Sequence, residues 1–264
     1  MPRTRHVAPS RWRRFWTRLW LVAKWSMALA GSLGLIWGGM RAYRLVRDAD
    51  YFRLRTIRIE GNAVLTRDDV LYLLALPSRT TLLQLDLQRM GARLERHPYV
   101  RTVTLRRYYP DTLAVSLQER SPYLVVVTEW ESMVVDREGV ALHAFRPDHD
   151  ARLPQLNLHG RTVLAPGMQL QQREVLRALE LIRAYKRVPL AERMRLASLT
   201  VEESGASLWQ VEPYPFRIRV GEGQIEAQLQ RLPPVLNYIE QRSLAVRLVD
   251  VSYRQRVVVT LITS

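Results

Sequence analysis

The sequence predicts an α+β protein: an N-terminal transmembrane helix, a compact β-α-α-β-β unit, and a mostly β domain whose helices pack on an antiparallel sheet. Three observations predict it. An apolar run extends from Leu19 to Met40, close to the roughly 20 residues a helix needs to cross a bilayer. Alternating and helical hydrophobic periods then follow in the order strand, helix, helix, strand, strand over residues 54–120. Beyond Pro122, short β-branched strands dominate, interrupted by two amphipathic helices.

Charge supports the first element. The 264 residues carry 40 Lys and Arg against 25 Asp and Glu, a formal charge of +15. Ten of the basic residues and none of the acidic ones lie in residues 1–47, so 30 against 25 remain and the rest of the chain carries about +5. Basic residues flanking an apolar run suit an anionic membrane surface and set topology, and they argue against nucleic-acid binding. The chain has no cysteine, which excludes disulfides, thiolate catalysis and cysteine-ligated zinc and leaves the compartment open.

These features divide the N-terminus into a basic tail (1–18), a span (19–40) and a charged stalk (41–53). Lys24 lies near the leading end, where its stem carries the ammonium back to the interface. Trp12, Trp16, Trp20, Trp25 and Trp37 sit on or near the flanks, as interfacial aromatics do. Seven basic residues precede the span or lie in its first turns and three follow it, so the N-terminus is expected in the cytoplasm and the rest outside. The competing reading is a cleaved signal peptide, since Ala28-Leu29-Ala30 resembles a cleavage site. Against it, the apolar run continues ten residues past Ala30 and Lys24 splits its centre.

The unit over 54–121 opens with alternation that puts Ile57 and Ile59 on one face. Gly61-Asn62 turns the chain, and Thr66 caps a helix with Asp69 in its first turn. Val70, Leu73 and Leu74 form its stripe, and Pro77 stops it. Asp86 caps a second helix bearing Leu87, Met90 and Leu94, which ends by His97-Pro98. Two alternating segments joined at Pro110-Asp111 form a hairpin. Two helices are thus expected on one side of a three-stranded sheet.

In residues 122–264, "YLVVVTEW" and "SMVVDREGVAL" read as strands, with a tight turn at Asp136–Gly139, and "LPQLNLHG" follows a polar loop. "REVLRALELIRAYKRV" is an amphipathic helix, and "SLWQVEPYPFRIRVG" holds two more strands. Ile225, Leu229, Leu232, Leu236 and Ile239 line a helix that Pro233-Pro234 kinks or splits. "AVRLVDVSY" and "RVVVTLIT" close the chain as strands.

No constellation carries chemistry. His143, His149 and His159 with Asp136, Asp148 and Asp150 fit no metal-ligand spacing. Gly221-Glu222-Gly223 lacks the third glycine of a dinucleotide loop and has Glu226 in its place, so it reads as a tight turn into a helix. No catalytic residue, cofactor or metal is expected. The last strand is the sharper signal. At a sheet edge it offers unpaired backbone groups to a partner strand, and inside the sheet it offers nothing; periodicity alone leaves both open.

The order of the first unit, with "IEGN" ending its first strand and "HPYVRTVTLRRYYPDTLAVSLQERSP" closing it, resembles a POTRA domain, specifically that of the FtsQ/DivIB family of bacterial division proteins. "VVDREG", Leu153-Pro154, "RIRVG" and Asp250-Val251-Ser252-Tyr253 extend the resemblance over the second domain. It implies a non-catalytic single-span protein of the cell inner membrane, with its domains in the periplasm at the division septum. Its partners would be FtsB, coiled with FtsL, added to the terminal strand, and other divisome proteins met through the POTRA domain and the span. The partner-binding residues it implies are Ser252, Tyr253, Arg254, Arg256, Val257, Val259 and Leu261. Tyr253 matches the family's tyrosine, but the arginine that precedes it in the family is Ser252 here, leaving Arg254 or Arg256 for the ionic contact. An anchored POTRA chaperone and an anchored cell-wall hydrolase are the alternatives.

Overall fold

The computed structural model describes residues 11–47, 50–158, 160 and 162–262. One helix, α1 (Arg11–Arg47), contains the whole apolar run. Lys24, Ser26, Ser32 and four glycines dilute that run, and among the described residues no helix is long and apolar enough to cross a membrane. The span over 19–40 therefore rests on the sequence pattern and not on the structure.

Packing divides the chain into two units. The first comprises residues 1–58, 76–87 and 105–114. After a 3-10 turn at Asp50–Phe52, the Leu82 N–H donates to Phe52 O at 2.7 Å and the Leu54 N–H to Thr80 O at 3.1 Å. The Arg55 N–H reaches Asp111 O at 3.0 Å. Arg107 clamps the 76–87 segment, its guanidinium donating to Leu82 O at 2.9 Å and to Leu85 O at 2.5 Å. An otherwise irregular segment thus has its carbonyls satisfied, as buried backbone requires.

The three-stranded sheet has the order β1-β3-β2, built from β1 (Thr56–Glu60), β2 (Val100–Tyr108) and β3 (Thr112–Glu119). Helices α2 (Arg67–Leu74) and α3 (Leu87–Leu94) lie between β1 and β2 in the chain. Thr66 caps α2 as expected, and Asp69 reaches back to complete a capping box with it. The hydrogen bonds from Thr66 hold the Asp69 carboxyl below its ordinary pKa. The turn from β1 into α2 is organised from a distance: the Glu119 carboxylate accepts from the N–H groups of Ala63, Val64 and Leu65 at 3.1, 2.7 and 2.9 Å. Gly61, at φ +83°, lets that turn lie against β3, since a Cβ there would stand 2.0 Å from Leu117 O.

The second unit continues into a nine-stranded sheet. Its strands are β4 (Pro122–Val127), β5 (Ser132–Asp136), β6 (Ala141–Ala144), β7 (Gln155–Asn157), β8 (Arg195–Val201), β9 (Ser207–Glu212), β10 (Arg217–Val220), β11 (Val246–Asp250) and β12 (Val258–Leu261), in the order β12-β11-β10-β9-β8-β7-β4-β5-β6. The sheet is mixed, which corrects the antiparallel expectation: β4 with β7, β7 with β8 and β10 with β11 pair parallel. Each parallel pair follows a crossover, as parallel strands need. α4 (Pro147–Asp150) precedes β7, α5 (Arg173–Tyr185) precedes β8, and α6 (Ile225–Leu229) with α7 (Leu232–Arg242) precedes β11. Pro233 and Pro234 split the last helical stretch, sitting in the first turn of α7, where a missing N–H costs nothing. β8 was not foreseen from the sequence.

One core fills the space under α5, α6 and α7 and includes Leu124, Leu156, Leu199, Trp209, Ile218 and Val249. Its polar atoms are matched. The Trp209 indole donates to Ser207 Oγ at 2.8 Å, and the Tyr185 hydroxyl donates to Met194 O at 2.5 Å. On the other face, Tyr99 packs with Val125, Val134 and Leu142 and stacks on His143 at 5.8 Å. Beside them, Arg120 donates to Asp136 and Glu138, both at 2.7 Å, and Glu138 also meets Arg101. Burial opposes the Arg120 charge, yet these two hydrogen-bonded carboxylates hold its pKa above the ordinary value.

Gly61→Ala is expected to destabilise the protein by more than ~3 kcal/mol, combining the positive φ with the clash on Leu117 O, as read by urea unfolding. A second expectation concerns pH. Burial pushes the Tyr185 phenol up to about 12, against about 10 in an unfolded chain. The folded state holds this proton more tightly, so the contribution is complete below about pH 10 and is lost as pH rises through the folded value. Tyr185→Phe should therefore flatten the alkaline loss of stability in a chemical-denaturation series.

Candidate functional site

The site is the open end of the large sheet. At the opposite end, the start of β6 is covered: the Ala141 N–H donates to Met168 O and the Gly167 N–H to Ala141 O, at 2.9 and 2.8 Å. Among the described residues β12 pairs only with β11, so the sequence's open question is answered: the last strand is an edge strand. Its hydrogen-bonding parity follows from one bond, the Ile262 N–H donating to Ala245 O at 2.8 Å. Inward and outward groups alternate along an antiparallel strand. Val258, Thr260 and Ile262 therefore turn their backbone groups to β11, and Val257, Val259 and Leu261 turn theirs outward. The β11 strand is bulged between Val246 and Leu248, which leaves the alternation on β12 intact.

Side chains around the edge are partly apolar and exposed. Leu261 and Ile262 are exposed by 50% and 59%, and Tyr253 by 44%, whereas Val257 and Val259 rest against the core. The turn before β12 is tightly built. Asp250 accepts from the Ser252 N–H at 2.9 Å and from its hydroxyl at 2.6 Å, a side-chain turn typical of Asp. Arg219 lies 3.9 Å from Asp250 and pairs with Glu202 at 2.6 Å. The hydrogen bond and charge of Glu202 raise the Arg219 pKa above its ordinary value. Arg256 places its guanidinium 4.9 Å from the Tyr253 ring centre, a cation–π contact. Arg254 instead lines a cavity of about 530 Å³ with Glu222, Gly223, Gln224, Gln228, Arg231 and Ser252.

The seven sequence-predicted residues thus fall together, on one turn and one edge. Gly221–Gly223 is a turn into α6, as read: Gly221 N–H donates to Gln228 Oε1 at 2.8 Å. The His and Asp residues weighed as ligands are occupied otherwise or spread apart. Asp136 holds Arg120, His143 stacks on Tyr99, and His159 lies outside the described residues. Among the described residues, no group of three such side chains is placed to hold a metal ion. Sequence reasoning missed Gln228 and Arg231, which support the turn from α6 and from the start of α7. The carbonyls of the turn that Arg231 meets lie 20 to 23 residues away, beyond any local pattern, while Gln228 reaches back five to seven residues to Gly223 and Gly221 without matching a standard motif.

Comparison with known proteins agrees with this architecture. A family model described as "POTRA domain, FtsQ-type" matches residues 52–120. A second, "Cell division protein FtsQ/DivIB, C-terminal", matches residues 125–252, stopping short of β12. Several proteins named cell division protein FtsQ are similar over most of their length. One from Syntrophotalea carbinolica is 24% identical over 98% of this chain and 90% of its own. One from Anaeromyxobacter sp. is 30% identical over 87% and 75%, and one from Myxococcus fulvus 27% identical over 84% and 77%. These matches define a POTRA-bearing, non-catalytic scaffold of cell division. The chain belongs to the FtsQ/DivIB family, whose members are divisome proteins of the inner membrane.

Asp250→Ala removes the acceptor of both Ser252 hydrogen bonds and a charge facing Arg219. Thermal or urea unfolding should show a loss of ~1–3 kcal/mol.

Proposed function

We propose that this chain is a membrane-anchored divisome scaffold whose terminal edge receives a strand of FtsB, itself coiled with FtsL, on the outer side of the inner membrane. Residues 19–40 cross the membrane, the basic tail stays in the cytoplasm, and residues 48–264 lie in the periplasm at the septum. The POTRA domain and the span serve recruitment, and the assembly links early and late division proteins and helps to control septal peptidoglycan synthesis. The observation that carries the docking step is the position of β12: an edge left uncovered among the described residues, in a sheet whose other edge is covered at its start.

The energetics separate two contributions. The outward groups of Val257, Val259 and Leu261 allow on the order of four to six main-chain hydrogen bonds, each with a net worth of roughly 0.5–1.5 kcal/mol. Association alone costs an estimated 4–15 kcal/mol. Pairing therefore supplies direction and register, and apolar burial on Tyr253, Leu261 and Ile262 supplies the surplus. For an acidic partner residue, Arg254 is the better placed of the two arginines, since Arg256 is engaged with Tyr253.

Val259→Pro tests this reading. Proline there removes an outward N–H and no bond to β11. Co-purification of FtsB and FtsL with the full chain should fall at least tenfold, while thermal unfolding stays within a few degrees of the parent. Undiminished capture with a folded variant would remove the terminal edge as the docking site.

A further inference from the structure

Arg231 is the most heavily engaged side chain near the edge, and it makes no contact that a partner needs. Its Nη1 donates to Tyr253 O at 2.6 Å and to Arg254 O at 3.1 Å, and its Nη2 donates to Val251 O at 2.9 Å. Its Nε lies 3.4 Å from Ala227 O. Among the described residues it has no carboxylate partner, so backbone carbonyls hold its charge. Three of these belong to the turn between β11 and β12. A planar guanidinium carries five N–H donors in a fixed fork and can gather carbonyls that diverge in space, which a lysine ammonium does less well.

A neighbouring residue repeats the device. Gln228, one helical turn earlier, accepts from the Gly221 N–H at 2.8 Å and donates to Gly223 O at 2.6 Å. The two loops that these residues hold touch each other: a Cβ on Gly221 would stand 2.9 Å from the Ser252 Cβ. One helical corner, residues 227–231, therefore fixes both the exit of β10 and the turn that delivers β12.

The turn matters because β12 is short and, among the described residues, paired on one side only. A strand slipped by one residue exchanges inward and outward groups throughout, which would point Val258 and Thr260 outward in place of Val259 and Leu261. Turn geometry is what pins the register of such a hairpin. We propose that Arg231 is a positioning residue: by gathering the carbonyls of Val251, Tyr253 and Arg254 it sets the register of β12 and presents the edge ready for pairing. This rests on the reading of β12 as the docking edge.

The test compares Arg231→Ala and Arg231→Lys with the parent, as full chains in lipid nanodiscs, by amide hydrogen exchange and by capture of the FtsB/FtsL pair. The expected result is exchange at least tenfold faster over residues 251–262 in Arg231→Ala, unchanged protection of β8 and β9, and capture at least tenfold weaker. Arg231→Lys should fall between, and it carries the test if the alanine variant does not fold. Unchanged exchange over 251–262 overturns the proposal. So does faster exchange with undiminished capture while Val259→Pro still abolishes capture, since the turn would then be ordered by Arg231 without consequence for docking. If Val259→Pro also leaves capture intact, the docking reading fails and takes the positioning role with it.

Discussion

The parallel pairing of β10 with β11 is the constraint on which the end of this molecule depends. Parallel neighbours cannot be joined by a tight turn, so the chain must leave β10, pass over the sheet and return in the same direction. α6 and α7 form that passage, and their apolar residues Ile225, Leu229, Leu232, Leu236 and Ile239 close the core on the way. The return places β11 outside β10. The hairpin from β11 then carries β12 one position further outward. An edge strand at the end of the chain is thus a consequence of the crossover.

The two ends of the sheet are treated differently. At β6, the segment 167–170 lies alongside and exchanges backbone hydrogen bonds with Gly139 and Ala141, which is one of the ways proteins protect an edge. At β12, protection is limited to its shortness and to Arg256 just before it; it has no proline or lysine of its own. An apolar strand exposed in this manner is a liability unless something pairs with it. The side chains reinforce the contrast, since Leu261 and Ile262 remain half or more exposed where Ala141 and Leu142 of β6 are buried.

Local signals in the sequence were reliable where local physics decides the outcome. Thr66 caps its helix with Asp69 in the first turn, Gly61 turns with positive φ, and Pro233-Pro234 divide a helix. The strand "RLASLTV" over 195–201 escaped notice because Ala197 and Ser198 interrupt its alternation, a break that the structure accommodates with a register shift between Leu196 and Ser198. Strand direction escaped for a different reason: whether β7 lies parallel to β4 depends on the path between them, which no short window contains. The candidate site divides along the same line. Its terminal strand is visible as a β-branched run, whereas the partners of Arg231 lie 20 to 23 residues away, across a loop, a helix and a strand.

A short edge also bears on how a scaffold of this kind would work. Two or three outward residues cannot hold a partner by main-chain pairing alone, once the cost of association is set against roughly 1 kcal/mol per hydrogen bond. If the partner is held in the same membrane as the anchored scaffold proposed above, much of that cost is met by the anchoring, because the second contact forms at high effective concentration. The edge then needs to supply direction and selectivity more than strength. Ordering the turn in advance has the same effect from the other side, because a strand already in register loses less freedom when it is paired. A weak, well-directed edge can also release its partner, which a tightly self-sufficient interface could not.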